Sequence, residues 1–419
     1  MYQGLSLDQA PPLSVPLRFF LTAPAFGVLG GLALALGGAE LWAVPLAGPA
    51  IAWVHLWTLG WLAMVMVGAF YQMIPVMIGG QVPWGFLSKW VHGLLVVGVL
   101  GLVGFFQFWV PFLGWIGWTA LGVGLGLFLA QTSLALWRVK GEVRPTLSAM
   151  RLSLGSLAIV WVLGLARLVE HLGGPGLPGP IRELHLMFGL VGWVGLLVLG
   201  VSFHLVPMFY VCPPIDSKTA FGLIRLIGFS LALTTLALAS GVEGPWLLST
   251  GALGVVGFWG YGIKMSRLVR QRRRKKIDPA LGAVRVGFAW LSLASGLFVA
   301  GHLGLERALD GAGLVMLLGF GLSFTHGMLY KILPFLVWFH RFSSQIGQPG
   351  VPLLGDILPQ PRMWADCALL QLSLVLLLLG CLFPPSGLLE TAGLTLALGH
   401  GYLGVVLLKS AGTVIPPQP

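Results

Sequence analysis

The chain has 419 residues, 57% of them hydrophobic and only 9% charged, and its 24 Lys and Arg outnumber 13 Asp and Glu to give a net charge of +11. Soluble globular proteins carry about a quarter of their residues as charges, so this composition excludes that class and predicts an all-α membrane protein. A basic balance of this size also suits nucleic acid, but the placement of the charges assigns them to membrane topology and excludes nucleic acid as the partner.

Apolar runs long enough to cross roughly 30 Å of hydrocarbon recur twelve times, at about 17–37, 51–74, 88–108, 114–137, 150–171, 183–209, 219–240, 246–268, 284–304, 310–336, 364–383 and 387–409. No cleavable signal is expected, because the polar "MYQGLSLDQAPPLSVPLR" precedes a run longer than a signal's apolar region. Of the 24 Lys and Arg, all but Arg167, Arg182 and Arg307 fall on one side of this topology. The positive-inside rule makes that side cytoplasmic and places both termini there. The run "RLVRQRRRKK" after span 8 reads as a topology anchor that also touches anionic lipid. Cys212, Cys367 and Cys381 lack metal-binding spacing, and no structural disulfide is expected. The 17 Trp suit lipid interfaces.

The chain repeats itself. "GWLAMVMVGAFYQMIPVM" from Gly60 aligns with "GWVGLLVLGVSFHLVPMF" from Gly192 and with "GFGLSFTHGMLYKILPFL" from Gly319, superposing Pro75, Pro207 and Pro334 at offsets of 132 and 127 residues. Each offset is four crossings, so spans 2, 6 and 10 are equivalent. One membrane domain is predicted, made of three parallel four-helix repeats at approximately 17–140, 150–276 and 283–410 with pseudo-threefold symmetry about the membrane normal. Pockets are expected between neighbouring arcs.

The start of each equivalent span has two slots two residues apart: Trp53 and His55 in span 2, His185 and Met187 in span 6, Ala312 and Leu314 in span 10. Side chains at i and i+2 on a helix point about 200° apart, so the opposite slots filled in spans 2 and 6 let His55 and His185 face one pocket, near the non-cytoplasmic surface. Further down, Gln72, His204 and Lys331 share one position a turn before the prolines, where a polar ring would satisfy proline-freed carbonyls or carry proton or quinone chemistry.

The stretch "HLWTLGWLAMVMVGAFYQMIP" resembles the tenth helix of the catalytic subunit in the cbb-type branch of the haem-copper oxidase superfamily, where an HxH pair precedes an LGW and a later GxxY and Pro. The nitric oxide reductases of that superfamily carry a related second helix. The haem- and copper-containing NnrS proteins, linked to nitric oxide stress, are a more distant likeness whose WHxHE-type signature is absent here. The resemblance implies the subunit I fold of twelve helices in three arcs, and a bacterial inner membrane. Departures accompany it: the HxH position reads WVH in span 2, HLM in span 6 and AGL in span 10, and span 7, "TAFGLIRLIGFSLALTTLALASG", lacks the paired copper histidines. Oxygen or nitric oxide reduction of the oxidase type is therefore not expected.

What the resemblance implies in its place is one b-type haem between spans 2 and 6, held by His55 and His185, with Arg167 and Arg182 meeting the propionates and Arg307 further round. The alternatives stay open. His55 is equally an interfacial imidazole bonded to a neighbouring carbonyl, or the ligand of a bare metal ion, and His185 follows charges that put it near water. His171 and His302 end spans 5 and 9, where a helix dipole favours them; with Glu170 or Glu306 they would bind copper or zinc. His204 is a further metal candidate, and His326 or His400 would ligate a second haem or bond across helices. The Cys-Pro pair in "VCPPI" reads as a loop. The functions implied are electron transfer or binding of nitric oxide and other diatomic gases, with membrane lipid, a quinone or cytochrome redox partner, and a homo-oligomer as the associations. Rival classes are a proton-coupled or metal or small-molecule transporter on the same scaffold, and a quinol-oxidising or assembly subunit.

Overall fold

The computed structural model describes residues 7–140, 144–273, 275–305, 307–383 and 386–414. Among the described residues the regular structure is helical throughout, with twelve helices long and apolar enough to cross a membrane. They are α1 (Ser14–Ala43), α2 (Gly48–Ile78), α3 (Gly85–Phe108), α4 (Pro111–Trp137), α5 (Pro145–His171), α6 (Ile181–Tyr210), α7 (Ser217–Ala239), α8 (Trp246–Arg270), α9 (Pro279–His302), α10 (Ala308–Gln345), α11 (Gln360–Leu382) and α12 (Leu388–Ala411). In lipid every backbone amide must be satisfied within the protein, which is why each apolar run resolves as one long helix. Their ends obey ordinary capping chemistry. Pro49, Pro111, Pro145 and Pro279 stand in the first turn, where a missing N–H costs nothing, and Asp216 and Asp278 cap α7 and α9 by accepting from the amides of Thr219 (2.8 Å) and Leu281 (2.9 Å).

Helices α2, α6 and α10 form the centre. Of their most apolar stretches 89%, 67% and 89% is buried, against at most 50% in the other nine spans. Hairpins α3–α4, α7–α8 and α11–α12 lie outside them, and α12 packs along α1 to close the ring. That last contact depends on glycine: a Cβ on Gly31 would lie 2.7 Å from Ala397 Cα, so only a bare Cα lets the helices approach this closely.

The inner helices share a backbone irregularity that the residue pattern does not announce. Each carries eight residues of wide π-helical turn, at Leu56–Ala63, Phe188–Gly195 and Val315–Leu322. These begin 132 and 127 residues apart, the offsets of the three prolines. A residue inserted into a helical turn rotates everything beyond it by about 100°. The slots lie in the regular pieces Gly48–His55, Ile181–Met187 and Ala308–Leu314, immediately before the wide turns. Aromatic packing joins the three: Phe70 of α2 stacks on Trp193 of α6 at 5.5 Å, and the Trp61 indole N–H of α2 donates to Thr325 Oγ1 of α10 at 3.2 Å.

The expected ring of Gln72, His204 and Lys331 resolves differently. Lys331 pairs with Asp278 at 2.5 Å and lies over the Tyr210 ring, while Gln72 Oε1 is buried without a partner. An ammonium gains more from a carboxylate than from a proline-freed carbonyl. Cys212, Cys367 and Cys381 are free thiols.

Candidate functional site

The α2 and α6 slots converge. His55 and His185, 130 residues apart in sequence, come together with ring centres 6.3 Å apart and planes inclined at 35°. His55 Nδ1 donates to the Ile51 carbonyl at 2.7 Å, one turn earlier on α2, which leaves Nε2 with its lone pair. His185 Nδ1 is buried and makes no hydrogen bond within normal geometry, and the Val160 carbonyl of α5 lies beside the ring. On the far side of that ring α5 offers a glycine: a Cβ on Gly164 would sit 3.0 Å from His185 Cε1.

This spacing meets the requirement of a metal held between two imidazoles. Metal–nitrogen bonds of about 2.0–2.1 Å on either side, with about 1.1 Å from each nitrogen to its ring centre, put the centres about 6.3 Å apart. Ligating histidines commonly donate their second N–H to a carbonyl, as His55 does. That bond does not distinguish the readings, because His302, His326 and His400 make the same bond to Phe298, Leu322 and Leu396. The distinction is the neighbour: the His55 ring lies 6.3 Å from that of His185 at 35°, whereas His326 and His400 meet edge-on at 5.2 Å.

Beside the two rings the surface of α5 and α6 is only partly covered by the protein. None of residues 181–191 is buried, and α5 is half-buried or exposed from Ala158 to Arg167. Helices α2 and α10 contrast with this, burying Ala52 and Trp53, and Ala308 and Ala312, at the corresponding level. A small cavity of about 20 Å³ lies elsewhere, lined by Leu314, Trp290 and Leu374.

The cations expected at the propionates are engaged nearby. Arg167 Nη1 bonds Glu170 at 2.5 Å on its own helix, and Arg182 Nε bonds its neighbour Glu183 at 3.0 Å. Both pairs are partly exposed, and such pairs contribute about 0–1 kcal/mol, so either guanidinium can exchange its carboxylate for another anion at little cost. Arg307 stands with positive φ (57°) at the start of α10.

The other sequence candidates do not join this pair. His171 packs edge-on against Phe106 at 5.1 Å, and His302 lies against Phe298 at 4.5 Å, each at its helix end. Glu306 lies outside the described residues. His204 is half-buried on α6. Among the described residues no three His, Cys, Asp or Glu side chains gather to hold a metal ion.

His326 and His400 belong to a second polar cluster, between α2, α10, α11 and α12. Trp61 stacks on His326 at 4.6 Å, His400 meets His326 edge-on at 5.2 Å, and the Tyr330 hydroxyl donates to Asp366 Oδ2. His326 Nε2 is 3.9 Å from that same oxygen. This cluster is separate from the His55–His185 pair. Asp366 and Tyr330 were not among the sequence candidates. The signal was there: Asp366 is a carboxylate inside an apolar span, and such a residue marks function by default.

No protein-family model matches the chain, and no curated protein does.

Proposed function

We propose that the protein binds a b-type haem through His55 and His185 and serves electron transfer or the binding of a small diatomic gas such as nitric oxide. The observation that carries this reading is the 6.3 Å separation of two imidazoles from different arcs, beside a surface of α5 and α6 that the protein only partly covers. When bound, haem iron supplies one-electron chemistry and, on loss of an axial ligand, a site for a gas. The protein's own contribution is positional. The Ile51 carbonyl fixes the His55 tautomer, Gly164 makes room for the His185 ring, and Arg167 and Arg182 supply positive charge nearby. Span α7 has no histidine, so a copper centre of the oxidase type is not part of the proposal.

The charge asymmetry supports cytoplasmic termini in a bacterial inner membrane, where a quinone or a cytochrome would exchange electrons with the haem. The test is a pyridine haemochrome assay on detergent-purified protein beside His55→Ala and His185→Ala. A Soret band in the wild type, lost or converted to a high-spin form in both variants, is the expected result. Pigment retained in both variants, or a colourless wild type that reconstitutes no haem, overturns the reading. The second reading, a proton-coupled transporter, is favoured by the buried Asp366 cluster, and the colourless outcome selects it.

A further inference from the structure

The second cluster sets two acceptors against each other in an apolar span. Asp366 is 2% exposed and His326 1%, both inside apolar spans. His326 Nδ1 lies 2.9 Å from the Leu322 carbonyl, which can only accept, so Nδ1 carries the ring proton of the neutral imidazole. Its Nε2 then points a lone pair toward Asp366 Oδ2 across 3.9 Å. That oxygen already accepts from Tyr330. Two acceptors thus face one another with no donor between them, and a carboxylate here would carry a full negative charge in a medium that solvates it poorly.

No fixed cation relieves this. Among the described residues the one basic group within ion-pair distance of Asp366 is His326 itself. The other titratable neighbours are Tyr330 on α10, His400 and Tyr402 on α12, and Cys367 on α11. On α2 the neighbour is Trp61, which covers His326, and the cation of the packed helix α9, Arg285, is exposed to the outside. His400 adds a second unsatisfied acceptor, since its Nδ1 is bonded to Leu396 and its Nε2 is buried without a partner. From the other side, the Trp290 indole donates to Gln371 Oε1 at 2.8 Å and Gln371 donates to Ser323 at 3.0 Å, so that network is closed on itself and sends no donor toward Asp366.

We infer that Asp366, His326 and Tyr330 form an intramembrane site that binds and exchanges one proton. The proton occupies the space between His326 Nε2 and Asp366 Oδ2. Its arrival makes one N–H or O–H bond and breaks one O–H bond of a hydronium donor in the aqueous phase, leaving water and a neutral cluster. Its departure restores the two facing lone pairs and one negative charge. Asp366 lies in the first two turns of α11, beside the cytoplasmic end of the topology, so exchange runs to that side. The site stands whether or not His55 and His185 hold haem.

The test is infrared titration of the purified full-length protein in H2O and D2O, comparing wild type with Asp366→Asn. The wild type is expected to show, on acidification, either a deuterium-sensitive carboxylic-acid C=O band or imidazolium ring modes, with the amplitude of one group. Asp366→Asn loses that signal. Tyr330→Phe keeps it with a displaced midpoint, because the lost hydroxyl donates to the deprotonated carboxylate. If Asp366→Asn fails to fold, the displaced midpoint in Tyr330→Phe and in His326→Gln decides. Identical titrations in wild type and Asp366→Asn, or in wild type and both other variants, overturn the inference.

Discussion

Gly164→Ala probes the histidine pair without touching either imidazole. An alanine Cβ there lies 3.0 Å from His185 Cε1 and 3.6 Å from Nδ1. That is tighter than an ordinary carbon–carbon contact, so the ring must withdraw by a few tenths of an ångström. A metal–imidazole bond of about 2.0–2.1 Å does not stretch that far. Disturbances of this kind around a ligand lower affinity by about 10–100-fold. The helix itself gains about 0.8–1 kcal/mol when alanine replaces glycine, so failed folding does not mimic the effect. Gly155→Ala, on the same helix with nothing within 4 Å, is the control. Haem per protein by pyridine haemochrome, with the low-spin signal by electron paramagnetic resonance, is expected at the wild-type level in Gly155→Ala and lowered, or partly high-spin, in Gly164→Ala. Equal loading and an unchanged low-spin signal in both variants would show that the His185 ring is not a ligand.

Three further outcomes are expected. Gly101 lets α3 and α4 touch backbone to backbone, a Cβ there meeting Gly117 N at 2.7 Å; Gly101→Ala should cost about 1–3 kcal/mol and lower Tm in detergent, while Gly93→Ala, with open space, should not. Asp278 both caps α9 and pairs with Lys331, so Asp278→Ala should destabilise more than Lys331→Met by about 1 kcal/mol, the share of the cap, measured by thermal denaturation. Asp216 is held well below the usual carboxylate range, first by the Thr219 amide and then by Lys264, so its stabilisation is complete above about pH 4, the range of a free Asp, and lost as pH falls through its lower folded value. The Tm gap between wild type and Asp216→Ala should accordingly be widest at neutral pH and shrink on acidification; a gap constant with pH would contradict the assignment.

The residues differ in how far the sequence alone revealed them. The His55–His185 encounter was legible because the Gly and Pro alignment set the register of α2 against α6, and an i, i+2 offset states which face each slot presents. The Asp366 cluster was not, since α10, α11 and α12 bring together residues 326, 330, 366 and 400 with no shared local pattern. The carboxylate partners of Arg167 and Arg182 are local, at i+3 and i+1, so these pairs were legible in the sequence without any tertiary packing.

The amino-acid order determined the number of crossings, the side on which the basic residues lie and the threefold recurrence of the inner helix. Each follows from local costs: hydrocarbon tolerates only long apolar helices, and charges stay where water is. Tertiary structure decided what meets at the centre. The three wide turns rotate one half of each inner helix against the other, and glycines such as Gly31 and Gly164 set how closely neighbours approach. Whether a buried imidazole faces another imidazole, a carboxylate or nothing depends on helices far apart in sequence, and only their packing specifies it.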